Sequence, residues 1–180
     1  VSFTVNVRDR AQAEQDLASF SSDLALVFEP VHLVDFDVLF ALPQPVHAVF
    51  KSDSTLAGKT DLRLRDCLSH KLVLPAPAYG VRHLLEAAAA RRGRTLDPIV
   101  ETESFDLIRH YVTRENAVGF QIPIGLSTKE QATIAHLPLS EKDLPVGRLL
   151  LGQMKGRALP VASSKFGQQL VAALANWTDQ

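Results

Sequence analysis

Residues 71–93 read KLVLPAPAYGVRHLLEAAAARRG, and a strand, a tight loop and a helix follow one another within them. Leu72, Val73 and Leu74 form a short apolar run of the kind buried inside a sheet. Pro75 and Pro77 end that run, because proline donates no ladder hydrogen bond. Gly80 stands where a helix over Val81 to Arg92 is expected to open. Gly93 stands where it closes, a position that favours glycine for its left-handed backbone. A strand that feeds a helix N-terminus through a tight loop leaves backbone N–H groups pointing outward, which suits an anion. The stretch therefore predicts an α/β protein with a ligand cleft.

The neighbouring segments extend this pattern in both directions. Val1, Phe3, Val5 and Val7 alternate with Ser2, Thr4 and Asn6, which predicts a half-buried strand. Ala11 to Phe20 has no proline or glycine and carries Leu17 and Phe20 on one face, so it reads as a helix. Leu24 to Phe28 is a continuous apolar run, expected as a strand covered on both faces. These pieces form β-α-β, and a parallel pairing would use the helix as its crossover. Phe36 to Phe50 is extended, and Pro43 and Pro45 inside it predict an edge strand or a bend. A polar turn over Ser52 to Gly58 and a short helical turn over Leu62 to Leu68 come before the opening stretch. After it, Pro98 to Glu103 reads as a strand, Ser104 to Thr113 as a helix, and Ala117 to Ile122 as a strand closed by Pro123. Thr133 to Leu137 and Arg148 to Met154 read as two more strands. Ser163 to Trp177 is a closing helix with Phe166, Leu170, Val171 and Leu174 at helical spacing. Strands alternate with helices throughout, which is the α/β class.

Composition narrows the function. The chain has 180 residues, is 46% hydrophobic and 22% charged, and carries a formal net charge of −1. A nucleic-acid-binding surface usually needs a basic excess, which is absent. Cys67 is the single cysteine, so an internal disulfide and a multi-cysteine zinc site are excluded and a reducing, cytoplasmic setting fits. No apolar run approaches the roughly 18 residues of a membrane span. VSFTVNV reads as the middle of a strand and no signal peptide opens the chain, so a fragment of something longer is expected.

Enzyme signatures are missing. His32, His47, His70, His83, His110 and His136 are scattered without metal-ligand spacing, and each reads as a surface or packing residue. There is no nucleophile elbow, P-loop or dinucleotide fingerprint. Cys67 follows Asp66 and has no activating cation in sequence, so a reactive thiol is not expected. No catalytic residue, cofactor or metal site is assigned.

Ligand contacts are expected beyond the carboxyl ends of strands. Arg8 and Arg10 follow the first strand, and Phe28 and Glu29 end the second. Pro77, Tyr79, Gly80 and Arg82 follow the strand at 72–74, and Gln121 and Ile122 follow the one at 117–120. Ser104 is placed to cap the helix that begins there. Helix N-termini near Gly80 and Ser104, with arginine charge beside them, point to a small anion, a carboxylate above all. Plainer roles stand beside these. Ser104 also reads as a cap alone, Arg8 and Arg10 as solvated residues at a helix start, and Tyr79 as a roof over its loop. Glu101 and Glu103 read as compensating a helix dipole.

Five stretches in this order resemble the regulatory, effector-binding domain of LysR-type transcriptional regulators: DLALVFEP (23–30), HAVFKSDSTLAGK (47–59), LRDCLSHKLVLPAPAYGVRHLLE (64–86), VETESFDLIRHYVTRENAVGFQIP (100–123) and GRALPVASSKFGQQL (156–170). The second departs from the family at Ser54 and Thr55, which replace its usual histidine and proline. The resemblance implies a two-lobe, periplasmic-binding-protein-like (type 2) α/β fold with two crossover strands. Lobe I would comprise residues 1–47 and 149–180, lobe II residues 48–148, and a small effector would sit between them. It implies a ligand sensor that is not an enzyme, working as a homodimer, or a tetramer at full length. DNA would be bound through an N-terminal helix-turn-helix that does not precede Val1 here. The family's first strand and helix of lobe I are likewise not seen before Val1. Its peroxide-sensing branch uses a cysteine pair, which Cys67 alone does not supply. The alternative is a stand-alone solute-binding protein of an uptake system, which shares the two-lobe architecture.

Overall fold

A computed structural model describes residues 2–126 and 133–177. Helix α1 (Arg10–Ala18) precedes strands β1 (Ala25–Phe28), β2 (Phe36–Gln44) and β3 (His47–Lys51). The short helix α2 (Leu64–Cys67), β4 (Leu72–Pro75) and α3 (Gly80–Ala90) follow. Then come β5 (Pro98–Thr102), α4 (Phe105–Glu115), β6 (Val118–Gln121), β7 (Ile134–Pro138), β8 (Gly147–Met154) and α5 (Val161–Ala175). The chain divides into two compact units, one built from Val1–Pro43 with Arg148–Thr178 and the other on Gln44–Gly147.

The second unit is a five-stranded mixed sheet in the order β5-β4-β6-β3-β7. β4 runs parallel to both β5 and β6, while β3 runs antiparallel to β6 and β7. β4 is interior to this sheet, and Leu72, Val73 and Leu74 are buried, as a continuous apolar run demands. α3 buries Val81, Leu84, Leu85, Ala88 and Ala89, the single face that a 3.6-residue period dictates. Its end is fixed by Gly93 at φ +63°: the Gly93 N–H donates to Ala90 O and the Arg94 N–H to Ala89 O, a Schellman turn. α4 presents Ile108 and Val112 to β4 and β6, and with Val73 and Ala117 they form one apolar cluster. A Cβ on Gly119 would lie 2.3 Å from Ile108 Cγ2, so the helix sits this close only because β6 carries glycine there.

The first unit holds a three-stranded sheet in the order β1-β8-β2. Pro43 falls in β2, an edge strand, and Pro45 in the break between β2 and β3, so both proline expectations are realised in the backbone. The start of the chain differs from expectation. Residues 2–8 form no strand and are exposed, with Phe3, Val5 and Val7 at 61%, 81% or more of full exposure. Val1, named in that expectation, lies outside the described residues. No strand among the described residues pairs with residues 2–8. A cavity of about 690 Å³ lies between residues 2–8 and β1, walled by Leu24, Leu26, Leu151, Phe166 and Leu170. A strand is stable only when its backbone groups find a ladder, and here they face a gap. The expected parallel β-α-β is therefore absent, and β1 pairs antiparallel with β8 instead. β1 is also not covered on both faces, since Val27 is buried but Leu26 remains 45% exposed.

Candidate functional site

Because β4, β5 and β6 are parallel, their carboxyl ends share one end of the five-stranded sheet. Three turns leave from there. Ala76–Tyr79 leads from β4 into α3, Glu103–Ser104 leads from β5 into α4, and Ile122 leads from β6 into a 3-10 turn at Pro123–Gly125. The Ala76 N–H donates to Thr102 O at 2.9 Å, tying the first two turns together. Tyr79 is half-buried and packs edge-on against Phe105, with ring centroids 5.7 Å apart. Ser104 Oγ accepts the Leu107 N–H at 3.2 Å, the capping bond that the sequence predicts for it. The structure thus gathers Pro77, Tyr79, Gly80, Ser104, Gln121 and Ile122 at one end of the sheet.

Arg82 is placed differently from the expectation of a charge offered to the ligand. It is buried and turned inward, where its guanidinium donates to Pro75 O at 3.2 Å and pairs with Glu86 at 2.8 Å and Glu101 at 3.2 Å. It clamps the β4–α3 loop, and Glu101 serves as its counter-charge. The first-unit candidates lie around the end of β1. Arg10 donates to Glu29 O at 2.9 Å, and Arg8 pairs with Asp16 at 3.3 Å. Phe28 is the last residue of β1, and Glu29 follows in left-handed backbone at φ 51° with its carboxylate accepting the Arg148 N–H.

Sequence reading named Gln121 but missed the polar side chains placed near it, Gln44, His47, Arg109 and His136, at the same end of the second unit's sheet. Gln121 Oε1 accepts from Arg109 at 3.2 Å, and Gln44 Oε1 accepts the Ile124 N–H at 3.1 Å. His47 pairs in register with Gln121, and its Nδ1 lies 2.8 Å from Nδ1 of His136 on the adjacent strand β7. Burial, and then the neighbouring His136, bring the His47 imidazole down to about 4. These residues are numbered 44, 47, 109, 121 and 136, and no local spacing connects them. A second missed feature is Glu14, fully buried on α1, whose carboxylate accepts the N–H groups of Val31, His32 and Leu33 at 2.5–3.1 Å. Its place one turn before the buried Leu17 was the available signal.

Other chemistry finds little support. Cys67 is buried, and desolvation pushes its thiol up to about 12. Among the described residues no group of three or more His, Cys, Asp or Glu is placed to hold a metal, and no helix is long and apolar enough to cross a membrane.

Residues 1–175 match the family model described as the LysR substrate binding domain. Among solved structures, the chain is similar to the Synechocystis PCC6803 CcmR regulatory domain in complex with 2-PG, at 18% identity and a TM-score of 0.77, covering 96% of this chain and 83% of that one. It is similar to the QuiR effector binding domain in complex with shikimate, at 16% identity and a TM-score of 0.71, covering 93% and 79%. It is also similar to HinK, a LysR family transcriptional regulator from Pseudomonas aeruginosa, at 20% identity and a TM-score of 0.72, covering 94% of this chain but 59% of HinK. Comparison with curated protein sequences returned no match.

Proposed function

The chain belongs to the LysR substrate-binding-domain family, whose members are non-enzymatic ligand sensors, and we propose that it is the effector-sensing part of a cytoplasmic transcriptional regulator answering to a small carboxylate. The fold is the mixed α/β, type 2 periplasmic-binding-like fold of that family. The family is one of transcription regulators, which sets the uptake-system reading aside.

One observation carries the anionic reading. The N-termini of α3 and α4 open at the same sheet end as the carboxyl ends of β4, β5 and β6. Each terminus offers partial positive charge worth about 0.3–1 kcal/mol to an exposed anion. In this proposal Pro77, Tyr79, Gly80, Ser104, Gln121 and Ile122 touch the effector, and Arg82 holds their loop in place. Residues 1–47 with 149–180 and residues 48–148 are the two lobes, with Arg8, Arg10, Phe28 and Glu29 completing the site from lobe I. Effector binding then favours one arrangement over another by its difference in affinity for the two. Homodimers of the domain would pass that preference to attached DNA-binding segments.

The test is calorimetric titration of a panel of carboxylic acids and their neutral amides. Acids are expected to bind and amides not, and Gln121→Ala is expected to weaken binding by about tenfold, the loss of one charge-assisted contact. Equal binding of acid and amide would overturn the anionic reading. Unchanged affinity in Gln121→Ala would remove this sheet end from the site.

A further inference from the structure

The second unit has another concavity, of about 390 Å³, between α2 and the C-terminal end of α3. α3 has eleven residues and spans about 16 Å, so this groove lies a helix length away from the strand-end turns. Leu64, Leu68 and Ala89 give it an apolar floor, and Arg65, Arg92 and Arg94 stand around it with no carboxylate among the lining residues.

The charge there exceeds what the fold uses. The loop residue Asp143 is buried and accepts two bonds from Arg63, at 3.0 and 2.6 Å, the Leu64 N–H at 2.8 Å, and a bond from Arg92. Arg91 donates to Asp143 O at 2.6 Å. Asp143 is thus shared between Arg63 and Arg92, with Asp61 and Asp66 adding longer-range negative charge beside Arg63. Arg65 and Arg94 make no ion pair within 4.0 Å among the described residues, and Arg65 acts on Asp66 only at longer range. The C-terminus of α3 needs no such surplus, because a helix end carries only about half a negative charge and the Schellman turn already satisfies carbonyls there. That same turn fixes the backbone between Arg92 and Arg94 at Gly93, which sets where both side chains leave the chain.

Guanidiniums set around an apolar floor suit an oxyanion that carries a hydrophobic body, since the planar fork binds carboxylate or phosphate in pairs of hydrogen bonds. The volume falls at the small end of the roughly 300–1,000 Å³ range of ligand pockets. We infer that the α2–α3 groove is a second ligand site, separate from the strand-end turns, for a small aryl or branched-alkyl carboxylate or phosphate ester.

Amide NMR titration of the 180-residue chain tests this, with benzoate, phenyl phosphate and inorganic phosphate as probes. The two organic anions are expected to shift the amides of Arg65, Ala89, Gly93 and Arg94. Inorganic phosphate is expected to bind at least about tenfold more weakly, for want of apolar contact. The double variant Arg65→Ala/Arg94→Ala removes two exposed, unpaired side chains, so its melting curve should match the wild type while the shifts at Ala89 and Gly93 weaken by about tenfold or more. Equal affinities in wild type and double variant, or shifts confined to residues 76–80 and 121–125, would overturn the site. Equal affinity for phenyl phosphate and inorganic phosphate would overturn the apolar half of the assignment. Binding of an acidic peptide without binding of either organic anion would replace the small-molecule site by a protein interface.

Discussion

His47 shows how far one residue's chemistry can depart from its sequence setting. Its imidazole is held near 4 by burial and by His136, against 6.5 when the chain is unfolded. The unfolded chain therefore binds this proton first as pH falls. The stability attached to neutral His47 is fully present above 6.5 and is lost as pH falls toward about 4. Urea unfolding across this window should show wild type losing stability relative to His47→Gln, with the difference between them constant above 6.5. A difference that stays constant all the way to 4 would mean His47 titrates as an exposed histidine. Gly119 is a second residue-scale case, decided by contact and not by charge. Gly119→Ala is expected to cost about 1–3 kcal/mol in denaturant unfolding, because the added methyl meets Ile108 at 2.3 Å. Neither effect was legible in sequence, since His136 and Ile108 are distant along the chain.

At the scale of elements, α2 and α3 are held beside the 139–146 loop by Asp143. Arg63's hydrogen bonds bring that carboxyl down to about 2 against the opposing effect of burial, helped by the Leu64 N–H and the charges of Arg63 and Arg92. Asp143→Ala leaves the part-buried Arg63 guanidinium and the Leu64 N–H without their acceptor and is expected to cost about 1.5–3 kcal/mol, read as a lower urea midpoint. The contribution of the ionised carboxylate is complete above 3.8 and is lost as pH falls through about 2, so it is intact at neutral pH. β1 poses the opposite problem, an element with an open side. Its outer edge faces the cavity at residues 2–8, and Leu26 is exposed there. Such an edge pairs with other chains, so Leu26→Lys is expected to lower light scattering of the concentrated protein. Unchanged scattering would place any self-association elsewhere. The elements themselves were largely readable: β4, α3, β5, α4 and β6 follow from an apolar run, two prolines, a capping serine and Gly93. Residues 2–7 were not, because their alternation states a willingness to be a strand while only a neighbour can make them one.

For the molecule as a whole, an effector that binds the folded chain and not the unfolded one adds about 2.7 kcal/mol at a hundredfold excess over its Kd. For a chain of 180 residues this raises the melting temperature by about 5–10 °C. A thermal scan of the carboxylate panel should pick out the effector by that shift, and Gln121→Ala, with affinity about tenfold weaker, should roughly halve it. Benzoate and phenyl phosphate should still act through the α2–α3 groove in that variant. Size-exclusion chromatography with light scattering should return a dimer mass, and a monomer mass would remove the subunit-pairing part of the proposal.

The sequence by itself determined the α/β alternation, the strand–loop–helix at 71–93, the caps at Ser104 and Gly93, and the family. All of these rest on short-range rules of period, sterics and terminus chemistry, which act between residues a few positions apart. It also named the turns at one sheet end, because Tyr79, Gly80, Ser104, Gln121 and Ile122 each adjoin a strand or helix end that is locally marked. Only the tertiary structure decided that Arg82 turns inward to Glu86 and Glu101, that His47 meets His136, and that Arg109 reaches Gln121. It alone placed Arg65 beside Arg92 and Arg94, and left residues 2–8 without a ladder. Charges and backbone groups take their roles from whichever partner the chain path brings within about 3 Å, and that path is a property of the whole fold.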